Sequence, residues 1–342
     1  ATDAEIEAVL AKSAAAFQSW SERPMSERAE IMNRVSELFV ERKDELATIA
    51  GEEMGKIHSE AVEEAEFSGA IIKYYAENGE DFTKDQEIPT ASNGTAIIRR
   101  LPLGPLLGIM PWNFPYYQIA RFVAPNLMLG NTIILKDAEI CPRSALAVQK
   151  IMDDAGVPEG VYNNVFANHD QISTIISDSR VQGVSLTGSE RAGSIVGAQA
   201  GENLKKAVLE LGGSDPYVLL DTDDVKAAAE LAWKTRMYNT GQACNSNKRM
   251  IVMEDIYDEF VAELERLANA AVKSTPDNQP EGAYSALSSR DAAEKLREQL
   301  DRAVEAGANL RAGGELSAEG AYISPAVLCL LYTSPSPRDL ST

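Results

Sequence analysis

Apolar residues recur at three- and four-residue steps through the first 78 residues, among many Glu, Lys and Arg. That period places them on one face of a helix. It predicts helices over 4–20, 26–50 and 60–76. Ile31, Val35, Leu38 and Phe39 form one such stripe, which reads as core packing. Gly51, Gly55 and Gly79 are expected to mark helix ends. The pattern changes over 80–104. Pro89, Ser92, Asn93 and Gly94 read as a turn, and the β-branched stretch 95–101 as strand. An extended hairpin or arm results, which either covers its own domain or pairs with another subunit.

From 106 to 210 short apolar runs alternate with amphipathic stretches. Strands are predicted over 106–110, 131–135, 161–166, 183–186 and 206–209. Helices fall between them, over 118–129, 144–155, a short one ending at 176, and 192–199. Such a rhythm implies a parallel sheet covered on both faces, an α/β architecture of the nucleotide-binding kind. A second α/β rhythm follows, with strands over 217–220 and 249–253 and helices over 223–237, 256–272 and 289–306. The expected organisation is therefore a nucleotide-binding domain over 1–211, carrying the arm at about 80–104, and a second domain over 212–328.

Composition narrows the function. The 342 residues carry a net charge of −20, which argues against nucleic acid or an anionic membrane as partner. No run is long and apolar enough to span a bilayer, and nothing resembles a signal peptide. Three cysteines are too few for a disulfide framework, so a reducing, cytoplasmic setting is expected. His58 and His169 lie in no ligand-spaced cluster, so no metal site is expected. Neither is accompanied by a nucleophile-elbow motif.

Candidate chemistry gathers in a few stretches. Cys244 sits in Asn239-Thr240-Gly241-Gln242-Ala243-Cys244-Asn245-Ser246, small and polar surroundings in which a thiol can stay partly exposed. Gly241 suits a tight bend. Glu210 closes the strand Ala207-Val208-Leu209 and precedes Gly212-Gly213. Strand carboxyl ends are where open α/β sheets bind ligands. A carboxylate in partly apolar surroundings there has a raised pKa and can serve as general base. Leu186-Thr187-Gly188-Ser189 leaves a strand and opens a helix, whose free N–H groups suit a diphosphate.

Four stretches, taken together and in order, resemble the aldehyde dehydrogenase superfamily. They are Pro111-Trp112-Asn113-Phe114-Pro115, Thr187-Gly188-Ser189, Glu210-Leu211-Gly212-Gly213 and Gly241-Gln242-Ala243-Cys244. The resemblance covers nearly all of 1–328. It implies a Rossmann-type cofactor domain, a catalytic domain and an oligomerisation arm, and association as a homodimer or homotetramer. It implies Cys244 as nucleophile on a small aldehyde. The oxyanion would go to the Asn113 side chain with the Cys244 backbone N–H, and Glu210 would activate the water that cleaves the thioester. NAD or NADP would meet Pro111, Trp112, Lys136, Glu139, Gly188, Ser189 and Leu211. Lys136 and Glu139 would lie at the adenosine ribose. A carboxylate there repels a 2′-phosphate, so Glu139 favours NAD, while Lys136 could favour the phosphate.

Where many members have a glycine-rich segment, this chain reads Phe166-Ala167-Asn168-His169-Asp170. That departure resembles the succinate-semialdehyde dehydrogenase branch. Arg121 supports it, standing eight residues after Asn113, where that branch carries an arginine for the distal carboxylate. A structural ion pair is the alternative for Arg121. The branch's second arginine, six residues before the cysteine, is here Tyr238. Residues 329–339 read like a translated sequencing adapter, so 329–342 are expected to be foreign and the enzyme to be C-terminally truncated. A downstream Glu-x-Phe stretch of the family is missing. Rival readings are a dehydrogenase for another small aldehyde, a non-catalytic relative and a plain nucleotide-binding module. Cys244, Glu210 and Asn113, separated by 34 and 97 residues, are all present and speak against the last two.

Overall fold

The computed structural model describes residues 1–91, 93–275 and 278–329. The chain divides into two compact units. One comprises Ala1–Ile49 and Ala61–Leu211. The other comprises Ala50–Glu60 and the residues from Gly212 on. The segment 50–60 thus packs with the second unit, although its position in the chain suggested the first. Residues 330–342, most of the stretch read as foreign, lie outside the described residues.

The first four helices are α1 (Asp3–Glu22), α2 (Met25–Glu41), α3 (Lys43–Met54) and α4 (His58–Thr83). Thr2 and Glu5 form a reciprocal cap at the start of α1, satisfying end N–H groups. The single helix expected over 26–50 is two, because Arg42 leaves the helical region with φ −104° and ψ 15°. Gly51 and Gly79 lie inside α3 and α4 and do not end them. A Cβ at Gly79 would come within 3.0 Å of the Met128 side chain, so this glycine serves close packing. Of these three glycines, only Gly55, with φ +78°, follows a helix end in the left-handed conformation.

The arm is an antiparallel pair, β1 (Gln86–Ile88) and β2 (Ala96–Ile98). Then come β3 (Pro105–Ile109), α5 (Tyr117–Leu129), β4 (Thr132–Lys136), α6 (Pro142–Asp154), β5 (Tyr162–Asn164), α7 (His169–Ser177), β6 (Gly183–Thr187), α8 (Glu190–Glu202) and β7 (Lys206–Glu210). Strands β3 to β7 form one parallel sheet in the order β5-β4-β3-β6-β7. The chain builds outward from β3 to β5, then crosses back to β6 on the other side of β3. Right-handed crossovers in opposite directions put α5 and α6 on one face and α8 on the other. Packing agrees: α2 meets α5 and α6, while α7 meets α1 and α8. One layer buries Phe39, Val123, Leu127 and Val148 completely. The other closes over Leu107, Ile134, Val184 and Leu186, with Ile6, Leu10 and Ile175. Each such side chain contributes about 2 kcal/mol by leaving water. The expected parallel α/β sheet is thus present.

A buried carboxylate fixes the start of α5. Glu64 is 2% exposed, and its Oε1 accepts from the backbone N–H of Tyr116 at 2.8 Å and of Tyr117 at 3.0 Å. First-turn amides have no partner within their own helix, and a negative charge suits that end.

The second unit contains β8 (Asp215–Leu219), α9 (Val225–Met237), β9 (Asn247–Val252), α10 (Glu254–Ala270), α11 (Arg290–Glu305), β10 (Asn309–Ala312) and β11 (Val327–Cys329). β8 and β9 are parallel, β10 and β11 antiparallel. Phe260, Leu264, Ala229 and Ala232 centre its core. Cys329, read from the sequence as foreign, is buried there and opposes Asn309 across the strand pair.

Glu64→Leu would strand the two amides that the carboxylate receives. It is expected to lower stability by about 3 kcal/mol, since an orphaned buried amide costs about 1–3 kcal/mol. Glu64→Gln, which keeps an acceptor, should recover most of that. Urea unfolding of the two variants checks this.

Candidate functional site

All strands of the parallel sheet end on the same edge, and three of the four motif stretches lie there. Ile109 is in register with Lys136 on one side and Leu186 on the other, and Thr187 with Glu210. Lys136, Pro111, Gly188 and Glu210 therefore succeed one another across the carboxyl edge. The order reverses between β3 and β6, so the crevice of the sheet opens between Pro111-Trp112-Asn113 and Thr187-Gly188-Ser189.

Local bonds hold this edge. The Gly188 N–H donates to the Glu210 carbonyl at 2.9 Å. Ser189 is the N-cap of α8; its Oγ accepts from the Ala192 N–H at 3.3 Å. The Met110 N–H reaches the Lys136 carbonyl at 3.0 Å. Asp137 turns the chain by accepting from the Ala138 N–H at 2.8 Å. Lys136 is half-buried and Glu139 exposed; Pro111, Trp112 and Asn113 are half-buried.

Two glycines at this edge differ in kind. A Cβ at Gly193 would lie 2.6 Å from Leu211 Cδ2, so α8 approaches the chain after β7 too closely for a side chain. A Cβ at Gly188 would meet nothing nearer than Leu186 Cδ2 at 3.8 Å. Packing within the chain does not require glycine at 188, and the space above it suits a ligand approaching the backbone.

Glu210 departs from expectation. Its side chain is 50% exposed, not in partly apolar surroundings. The reason is that β7 is an edge strand, with Val208 and Leu209 exposed too. Glu210 Oε2 lies 3.2 Å from Arg121 Nη2, and the Arg121 guanidinium also sits 5.8 Å from the centre of the Tyr117 ring. Arg121 projects from α5 into a groove of 350 Å³ shared with Met110, Gln118, Thr187 and Val208.

Cys244 belongs to the second unit, in the link between α9 and β9. It is half-buried and forms no disulfide. The link starts in a tight left-handed turn at Tyr238–Gly241. Asn239, Thr240 and Gly241 all have positive φ, at 51°, 53° and 77°. Gly241 provides the bend the sequence suggested. Asn239 and Thr240 cost about 1–3 kcal/mol each in that conformation, more surely for the β-branched threonine. Side chains absent from the sequence reading hold them. Glu60 Oε2 accepts from the Asn239 N–H at 3.0 Å. Thr240 Oγ1 accepts from the Ser285 N–H at 2.9 Å and shares a 2.8 Å hydrogen bond with Ser285 Oγ. Arg236 Nη1 donates to the Gly241 carbonyl at 2.9 Å and to Ser246 Oγ at 3.0 Å. Lys248 Nζ donates to the Cys244 carbonyl at 3.3 Å and to the Gly213 carbonyl. Burial lowers the Arg236 pKa. Burial, then repulsion from Arg236, lowers that of Lys248. Two cations thus flank the cysteine turn.

The strand order and its crevice define a nucleotide-binding protein of the open parallel-sheet class. The profile of the aldehyde dehydrogenase family matches residues 1–333. Succinate-semialdehyde dehydrogenase [NADP(+)] of Deinococcus radiodurans is 47% identical over 326 residues, 95% of this chain and 68% of that protein. Succinate semialdehyde dehydrogenase [NAD(P)+] of Escherichia coli is 38% identical, over 95% of this chain and 70% of its own length. The crystal structure of succinic semialdehyde dehydrogenase from Streptococcus pyogenes with NADP+ matches with a TM-score of 0.92 at 37% identity, covering 96% of this chain and 72% of that one. The chain belongs to the aldehyde dehydrogenase family, and with it to the NAD(P)-dependent oxidoreductases. Among the described residues, no helix is long and apolar enough to cross a membrane.

Gly193→Ala forces Leu211 aside and is expected to cost about 1–3 kcal/mol. Gly188→Ala should leave the thermal midpoint unchanged. Calorimetry on the two variants tests the distinction.

Proposed function

We propose that the protein oxidises succinate semialdehyde to succinate with NAD(P)+, through a thiohemiacetal and thioester on Cys244. Family membership and the 47% identity to the Deinococcus succinate-semialdehyde dehydrogenase carry this reading. Retention of Cys244, Glu210 and Asn113 supports the chemistry.

The cofactor would rest on the carboxyl edge of the sheet, and the room above Gly188 fits it. Its diphosphate would meet the N-terminus of α8 at Gly188 and Ser189, with Pro111, Trp112 and Leu211 along its length. Lys136 and Glu139 would share the adenosine ribose. Lys136 offers charge to a 2′-phosphate and Glu139 an acceptor to a 2′-hydroxyl, so both cofactors are proposed to serve, Glu139 tilting the balance to NAD+. When bound, NAD(P)+ supplies the hydride acceptor.

The remaining tasks fall to the chain. Cys244, as thiolate, adds to the aldehyde carbon and holds the acyl group. The Asn113 amide and the Cys244 N–H are assigned to the oxyanion, where one donor is worth about 3 kcal/mol in other enzymes. Glu210 takes a proton from the water that cleaves the thioester. Arg121 is assigned to the distal carboxylate of the substrate. Its pairing with Glu210 is no obstacle, since the Glu210 head is half exposed and a solvent-accessible ion pair is worth about 1 kcal/mol or less. The arm exposes Ile88, Ile97 and Ile98, which suits a homodimer or homotetramer contact.

The test is NADH and NADPH formation from a panel of aldehydes, on this chain and on the chain extended with the C-terminal part of the Deinococcus relative. Succinate semialdehyde should be turned over, Cys244→Ala should abolish turnover, and Glu139→Ser should raise NADP+ efficiency relative to NAD+. A folded protein that reduces neither cofactor with any aldehyde overturns the reading. Arg121→Ala should lower kcat/KM for succinate semialdehyde about 100-fold, as expected for loss of a charged hydrogen bond of about 3 kcal/mol, but not for an uncharged aldehyde. Equal losses for both would remove the carboxylate role.

A further inference from the structure

Three consecutive residues in the left-handed region, only the last a glycine, stand immediately before Gln242-Ala243-Cys244. A chain left to itself does not hold such a run, since a β-branched side chain disfavours positive φ. The run must be imposed from outside, and each of its residues is anchored by a different part of the second unit. Glu60 accepts from the Asn239 N–H, the Thr240 hydroxyl accepts from the Ser285 N–H and shares a hydrogen bond with Ser285 Oγ, and Arg236 donates to the Gly241 carbonyl. A fifth bond continues the series, from the Ser288 N–H to Gln242 Oε1 at 3.1 Å. The glycine also leaves the Arg236 guanidinium its place. A Cβ at 241 would lie 2.7 Å from Arg236 Nη1.

We propose that Thr240 is a positioning residue for Cys244: its hydroxyl, tied to Ser285, holds the left-handed turn from which the thiol is presented, with Glu60 and Arg236 as the turn's other anchors. The proposal rests on Cys244 being the nucleophile. Thr240 touches neither substrate nor cofactor in it. The hydroxyl fixes a backbone path, and that path sets where the Cys244 N–H and Sγ stand relative to the Arg236 and Lys248 charges. Two of the three anchors come from stretches far away in sequence, 179 residues for Glu60 and 45 for Ser285. A loosened turn therefore changes the thiol's surroundings without removing any group that acts on the substrate.

Thr240→Val keeps the branched shape and loses both hydrogen bonds to Ser285, whereas Thr240→Ser keeps both. Glu60→Ala and Glu60→Gln form a second pair, the glutamine preserving an acceptor for Asn239. Iodoacetamide labelling of Cys244 is followed by peptide mass spectrometry, native and in urea, with circular dichroism to measure the folded fraction. Thr240→Val and Glu60→Ala are expected to lower the native labelling rate at pH 7 at least fivefold, with rates in urea unchanged. Thr240→Ser and Glu60→Gln should stay within twofold of the parent. In the chain extended to the length of its relatives, Thr240→Val should lower kcat about tenfold with KM for the aldehyde within twofold. A labelling rate that is unchanged or raised, or a loss that only follows the unfolded fraction, overturns the proposal. Retained turnover in Cys244→Ala instead overturns the nucleophile reading on which it stands, so the two failures are distinguishable.

Discussion

Parallel pairing is the constraint on which the first unit depends. Strands that all run one way bring every carboxyl end to one edge, and the crossover helices then start from that edge. Residues widely separated in sequence are lined up by register alone: Lys136 beside Ile109, Leu186 beside Ile109, Glu210 beside Thr187. No long-range side-chain bond is needed to gather them. Hydrogen bonds between neighbours, such as Gly188 to Glu210 and Met110 to Lys136, then set the fine positions. The reversal of strand order between β3 and β6 makes one gap on this edge unlike the others. The Asn113 loop and the start of α8 border that gap, and both would be scattered surface features in an antiparallel sheet.

What the sequence revealed follows from how local each signal is. Buried parallel strands are short apolar runs, and β3, β4 and β6 stood out as such because both of their faces are covered. Helix stripes were as plain. Glycine was misread where its role is packing: Gly51 and Gly79 sit inside helices, and nothing in the local pattern distinguishes a packing glycine from a terminating one. Glu64 looked like one acid among many in a charged helix. Its role depends on α5 arriving 52 residues later, which no window contains. The strands β10 and β11 carry little alternation and pair across a bulge, so they were missed. Glu210 was placed correctly at a strand end, but its exposure depends on β7 being the edge strand, a property of sheet order and not of sequence. At the cysteine turn, Gly241 was legible and Thr240 was not, because only glycine advertises a positive φ.

Strain around that turn has a thermodynamic consequence. Two non-glycine residues in the left-handed region together cost a few kcal/mol, a sizeable part of the stability of an ordinary domain. Hydrogen bonds to neutral partners contribute about 1 kcal/mol each, and one to a carboxylate somewhat more. The four bonds from Glu60, Ser285 and Arg236 are therefore of the same order as the strain they oppose. A turn balanced in this way is held in one conformation only while its anchors are intact. The same backbone path on glycines alone would be unstrained and also undirected.

The carboxylates show how rigidity is distributed. Glu64 is buried against two amides, and Glu60 is engaged by the Asn239 N–H, so both are tied to backbone. Bonds of that kind commit a carboxylate to the fold, because a buried or strained amide depends on it as acceptor. Glu210, the proposed base, is tied differently. Its backbone carbonyl is fixed by Gly188, while its side chain is half exposed and paired with Arg121, an interaction weak enough to be exchanged for water. A group that must receive a proton and later release it needs an anchored main chain and a loosely held head. Among these three glutamates, only Glu210 combines the two.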